Sequence, residues 1–171
     1  PLKTIRIFIS SPGDVQEERN KAKAVVDQLR KIFSGRLDLQ AVLWEELPLQ
    51  VDMSFQKGID VVLSETGIDI AVFILWSRLG SPTGPLMVGN DMKEFRSGTE
   101  REWQLMLQAR EQCQDQGLPL RPAIFVYTRR DEESFEERLR GRSDDEKAKE
   151  IAQKRALTSF IREEFKDSDT G

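Results

Sequence analysis

Apolar residues alternate at Ile5, Ile7 and Ile9, then stop at Ser10-Ser11-Pro12-Gly13-Asp14. The alternation predicts a strand over Thr4 to Ile9. A different period follows at once. Val15, Ala22, Val25, Val26, Leu29, Ile32 and Phe33 recur at three- and four-residue spacing, which predicts a helix from about Asp14 to Phe33 with one buried face. Asp14-x-x-Glu17 fits a capping box at its start, and Gly35 ends it. Leu39 to Leu47 reads as a second strand, closing on Glu45-Glu46 and Pro48. Phe55, Ile59, Val62 and Leu63 predict a helix over 54–64. Ile68 to Trp76 is nearly all apolar, the mark of a strand covered on both faces.

Residues 77–98 read as a long loop containing Gly and Pro, a length that in a compact domain signals function or mobility. Thr99 to Gln114 predicts a helix with Trp103, Met106, Leu107 and Arg110 on one side. Ala123 to Thr128 predicts another short buried strand. The order β-α-β-α-β-α-β-α, with right-handed crossovers, gives an α/β fold: a mostly parallel sheet with helices on both faces. Residues 1–130 form this unit. Residues 131–171 are a charged helical extension, either part of the same domain or leading to a further one. In it Ser134 can cap a short helix with Phe135 and Leu139. Ser143-x-x-Glu146 can cap a longer one with Ala148, Ile151, Ala152, Phe160 and Ile161.

Composition narrows the chemistry. The 171 residues are 38% hydrophobic and 33% charged, with a net charge of −4, so the overall balance offers no electrostatic attraction to nucleic acid. The longest apolar run contains Asp69 and is too short to span a bilayer, and no signal peptide is visible, which predicts a cytoplasmic protein without membrane contact. Cys113 is the one cysteine and lies in a helical stretch, so it reads as a structural thiol. There is no histidine, which removes Ser-His-Asp and Cys-His catalysis and imidazole metal ligation; no metal site is expected. Catalysis in this chain falls to carboxylates, hydroxyls, Lys, Arg or Tyr. No GxGxxG, Walker, HExxH or EF-hand pattern is present.

In a parallel sheet the C-terminal strand ends share one edge, where ligands bind. That edge collects Ser10 to Asp14, Glu45-Glu46, Trp76 to Ser81, Thr128 to Arg130, and the helix start Ser97 to Trp103. Glu102 is the sharpest candidate: a carboxylate one turn into a helix could stabilise or attack a ribosyl carbon as its glycosidic bond breaks. Thr99-x-x-Glu102 is equally a capping box, the commoner use of this spacing. Ser10, Ser11 and Gly13 could cradle a phosphate or ribose, or form a tight turn. Asp14 favours ribose over phosphate, or an N-cap role. Trp76 could stack on a base or close the core, Arg78 could meet phosphate or solvent, and Glu45 and Glu46 could be bases or surface charges.

Residues 6–19, RIFISSPGDVQEER, resemble the opening signature of a family of TIR-like domains of unknown function. That family stands at the N-termini of bacterial and animal multidomain proteins, ahead of NACHT/STAND-type ATPases, TPR or WD40 repeats. IDIAVFILWSRLGSPTG and SGTEREW are similar to the family's third strand and following helix. The resemblance implies a three-layer flavodoxin-like fold shared with TIR domains and nucleoside 2-deoxyribosyltransferases. In the latter a Gly-Thr-x-x-Glu segment carries the catalytic glutamate, and Gly98 to Glu102 matches its spacing, which turns the balance at Glu102 toward catalysis. It further implies Ser10, Ser11 and Asp14 bordering a nucleotide, with NAD as substrate rather than bound cofactor; together with Gly13, Trp76, Arg78 and Thr99 these make up the candidate substrate-binding set. Self-association and a downstream ATPase or repeat domain are the implied partners. The Ser-x-Trp-Cys-x-x-Glu pattern of TIR domains is absent here. Three activities follow as expectations: NAD binding with N-glycosidic cleavage, a non-enzymatic self-associating module, and deoxyribosyl transfer between nucleosides.

Overall fold

The computed structural model describes residues 2–43, 67–88 and 91–165. Strand β1 (Lys3–Ser10) is followed by a 3-10 turn (Gly13–Val15), helix α1 (Gln16–Ile32), β2 (Leu37–Val42) and β3 (Ile70–Leu75). Then come β4 (Gly84–Val88), β5 (Asp91–Phe95), α2 (Gly98–Asp115), β6 (Ala123–Thr128), α3 (Glu132–Leu139) and α4 (Asp144–Glu164). The main sheet runs β2-β1-β3-β6 with every pair parallel. This is the expected α/β architecture, consistent with a three-layer flavodoxin-like fold.

The two-residue period of β1 divides it between two cores. Ile7 and Ile9 face α1 and pack with Val15, Val26, Leu39 and Ile74. Phe8 faces the other way, with Ala71, Phe73 and Leu75 of β3, against Trp103 and Met106 of α2 and Leu157 and Phe160 of α4. Burying each of the large side chains in that second core contributes about 1.5–3 kcal/mol. Trp103 anchors it, meeting Phe73, Phe160 and Phe165 edge-on at centroid distances of 5.3, 6.2 and 4.7 Å. Its indole N–H donates to Glu164 Oε2 at 2.8 Å, tying α2 to the end of α4.

Several expectations need correction. Residues 77–98 are not simply a loop: β4 and β5 pair as an antiparallel hairpin, which satisfies backbone groups that a loop would leave to water. Leu86, Met87 and Val88, which the sequence offers as a contact surface for self-association, lie on β4, whose side chains fall outside the described residues, as do Glu45, Glu46 and the helix expected over 54–64. Strand β6 is not buried on both faces, since Phe125 and Tyr127 are 48% and 59% exposed. Only one of its faces meets α2 and α4; Ile124 and Val126 pack there. On α1, Val25 and Ile32 are exposed, Val25 beside an uncovered part of the sheet. On α4, Ile151 points outward and the buried stripe is Glu150, Leu157 and Phe160. The Ser143–Glu146 capping box is present. Asp131, not Ser134, caps α3.

Neither of the other two expected capping boxes forms. Asp14 sits in the 3-10 turn, and Val15 precedes α1 with no side-chain cap. At α2 the cap is Ser97, whose hydroxyl accepts from the Glu100 N–H at 3.1 Å. Glu100 reaches back to the Arg96 N–H at 2.6 Å. The cap therefore stands two residues before Thr99, with Glu100 bonding the residue ahead of it rather than closing a full box. Ser97→Ala is expected to cost about 1 kcal/mol, visible as a lower Tm in thermal unfolding; Thr99→Ser should leave the helix start unchanged.

Glycine has a conformational role at two points. Gly117 (φ 66°) closes α2, with the Leu118 N–H reaching the Cys113 carbonyl at 2.8 Å. Gly80 (φ 113°) lets the chain after β3 pass α2: an added Cβ would stand 3.3 Å from Ser97 Cβ.

Candidate functional site

Parallel pairing brings the ends of β1 and β3 beside the start of α2, and the side chains there are joined rather than scattered. Glu102 projects from the first turn of α2 and is 5% exposed. Its Oε2 accepts from the Ser10 hydroxyl at 2.5 Å; Ser10, the last residue of β1, is fully buried. Thr99 is buried one turn earlier on the same helix. Charge-assisted O–H···O⁻ bonds of this length are among the stronger ones in proteins.

Arg19 completes this buried cluster and is 1% exposed. From the first turns of α1 its Nε donates to Ser11 Oγ at 2.6 Å and an Nη to the Ser11 carbonyl at 2.7 Å. Burial pulls its proton affinity below the usual arginine value, and the Glu102 carboxylate pulls it part of the way back. An arginine remains cationic at neutral pH even so. A buried carboxylate and a buried guanidinium thus balance each other at the foot of the edge.

A second network lies along the same edge. Asp14 Oδ2 accepts from the Ser77 N–H at 3.0 Å and the Ser77 hydroxyl at 2.8 Å, tying the turn after β1 to the residue after Trp76. Asp14 Oδ1 is buried and has no hydrogen-bond partner among the described residues. Arg138 of α3 donates to Ser77 Oγ at 3.4 Å. Trp76 is half-buried: its N–H donates to the Asp131 carbonyl at 3.3 Å, and the Arg129 guanidinium lies 4.2 Å from its ring centroid. Arg129 also pairs with Glu18 and Asp131. Together with the Ser134 N–H, it lowers the Asp131 carboxyl to about 2. Arg78 is partly exposed and 3.7 Å from Glu150.

Of the residues singled out from sequence, Ser10 and Glu102 touch each other. Ser11 is engaged by Arg19, and Asp14 by Ser77. Arg129 covers one part of the Trp76 ring. Gly13 is exposed, with open space where a side chain would stand. Arg19, Arg138, Arg142 and Glu150 were not singled out. Arg19 had a legible signal, because it falls on the spacing of the apolar stripe Val15, Ala22, Val26 and Leu29, where a charge must find a buried partner.

Among the described residues, no group of His, Cys, Asp and Glu is arranged to hold a metal ion. No described helix is long and apolar enough to cross a membrane. No family model, curated protein or solved structure matches the chain.

Proposed function

We propose that the domain binds NAD or a related nucleotide and cleaves its N-glycosidic bond, with Glu102 as the catalytic carboxylate. The observation that carries this reading is the Ser10–Glu102 contact at the strand-end edge. The Ser10 hydroxyl fixes one carboxylate oxygen, which preorganises the group. As the bond between ribose C1′ and the nicotinamide nitrogen breaks, its electrons pass to the ring nitrogen. The cationic nicotinamide then departs neutral and needs no general acid, so a chain without histidine is not handicapped. The carboxylate stabilises the positive charge at C1′ or bonds to it, and water replaces it, losing its proton. Because Glu102 is almost wholly buried, the ribose reaches it only after local opening. Such a requirement suits an enzyme that is quiet until assembled. The test is nicotinamide release from NAD at high protein concentration with a crowding agent, run beside Glu102→Gln. Release that depends on Glu102 supports the assignment, and equal release from both proteins sinks it. Nucleobase exchange between deoxynucleosides would point instead to a deoxyribosyltransferase.

A self-associating module is the second reading, favoured by the uncovered face of the sheet. Phe125 and Tyr127 of β6, with Val25 of α1, border an apolar groove of about 580 Å³ floored by Ile9, Val72 and Ile74. Glu18 and Lys21 stand on its rim with opposite charges, which a two-fold-related copy can pair. Light scattering should then show mass rising with concentration, and Tyr127→Asp should abolish the rise. A monomer at all concentrations would count against it.

A further inference from the structure

We infer that the arginines gathered over Glu150 form an anion-binding site for the phosphoryl groups of the ligand. Glu150 lies on the buried stripe of α4, its carboxylate nearly inaccessible. Three guanidinium groups from three different segments converge on it. Arg142, between α3 and α4, reaches Oε1 at 3.2 Å, Arg138 of α3 stands 3.5 Å from Oε2, and Arg78, after β3, stands 3.7 Å from Oε1. One buried carboxylate faces three guanidinium groups, of which Arg142 also feels the exposed Glu146.

The geometry is loose for a purely structural ion pair. Only the Arg142 contact with Glu150 is a hydrogen bond, and Glu150 Oε2 has no hydrogen-bond partner among the described residues. Each guanidinium brings five donors. Beyond Glu150, Arg138 uses one on Ser77 at 3.4 Å, and Arg142 uses one on the Arg138 carbonyl at 3.0 Å. Most donors of three partly exposed arginines are therefore unspent. The buried carboxylate holds the three cations close together but neutralises only one of them. A ligand with two or more negative charges on adjacent oxygens supplies what is missing, and planar guanidinium forks suit phosphoryl oxygens.

The cluster sits on the same edge as the Ser10–Glu102 pair. Ser77, just past the end of β3, bonds Asp14 of the turn after β1 and Arg138 of the cluster. Gly80 carries the chain on past Ser97 and Thr99 at the start of α2, and its N–H meets Gln153 of α4 at 3.4 Å. This inference deepens the nucleotide reading and rests on it for the ligand's identity, making that ligand a nucleoside diphosphate or its conjugate rather than a free nucleoside. The anion site itself stands on the arginine geometry.

Isothermal titration calorimetry at low salt, with inorganic pyrophosphate, ADP-ribose and adenosine as probes, tests it. Pyrophosphate and ADP-ribose should bind, adenosine far more weakly, and affinity should fall as salt rises. Arg138→Gln with Arg142→Gln should weaken pyrophosphate binding by about 10- to 100-fold. Arg78→Gln, at the most exposed of the three arginines, should weaken it several-fold and keeps the test sound should the double variant not fold. Silence with pyrophosphate in the wild type overturns the inference. So does unchanged affinity in folded variants, the result of a merely structural cluster. Glu102→Gln separates the two proposals. If it retains pyrophosphate binding and also retains nicotinamide release, the catalytic assignment fails and the anion site stands. If Glu102-dependent release occurs without pyrophosphate binding, the anion site falls alone.

Discussion

Glu102→Gln is expected to lower nicotinamide release from NAD by on the order of 10³-fold while leaving a folded protein. Gln preserves the shape of the side chain and can still accept from the Ser10 hydroxyl, which lies 2.5 Å from Oε2. What it loses is the negative charge that answers the developing charge at C1′. The same change removes the charge that balances Arg19, so a stability loss of about 1–3 kcal/mol is expected. A single domain with about 5–15 kcal/mol in hand survives it. Circular dichroism and thermal unfolding beside the activity assay separate the two effects. Glu102→Ala is a poorer probe, because it adds a cavity and leaves the Ser10 hydroxyl without this acceptor.

Arg19→Ala should be the most destabilising single change in the described chain. Arg19 is 1% exposed, makes two short hydrogen bonds to Ser11 and attracts the buried Glu102 carboxylate. Removing one partner of such an arrangement leaves an uncompensated buried charge and costs about 3–5 kcal/mol. In a domain of this size that is a fall in Tm of about 10 °C or more. Arg19→Lys keeps the charge but cannot reproduce the guanidinium fork and should fall between. Thermal denaturation checks both, and a Tm within a degree or two of wild type for Arg19→Ala would show that the cluster is not a foundation of the fold.

The sheet was legible in the sequence because its signals are local. Alternation marked β1, a continuous apolar run marked β3, and the alternation of strands with helices implied parallel pairing. The site was legible in part for the same reason: strand ends and helix starts can be located by pattern. Partnerships between remote side chains could not. Thr99-x-x-Glu102 and Ser97-x-x-Glu100 are equally good boxes as text, and only the three-dimensional demand of Ser10 on Glu102 chooses between them. Arg78 stood out as a phosphate contact, but its grouping with Arg138 and Arg142 is hidden until Glu150 is placed between them. Glu150 itself, between Lys149 and Ile151, reads as one more charge of a highly charged helix. The hairpin of β4 and β5 escaped notice because Gly and Pro residues in 77–98 favour turns and mask short strands.

Because Ser97 and Glu100 alone close the start of α2, position 102 carries no duty toward the helix end. Its remaining structural part is the balance with Ser10 and Arg19. A copy of this domain with another residue of similar bulk at 102 would keep its helix start and its sheet while losing the carboxylate.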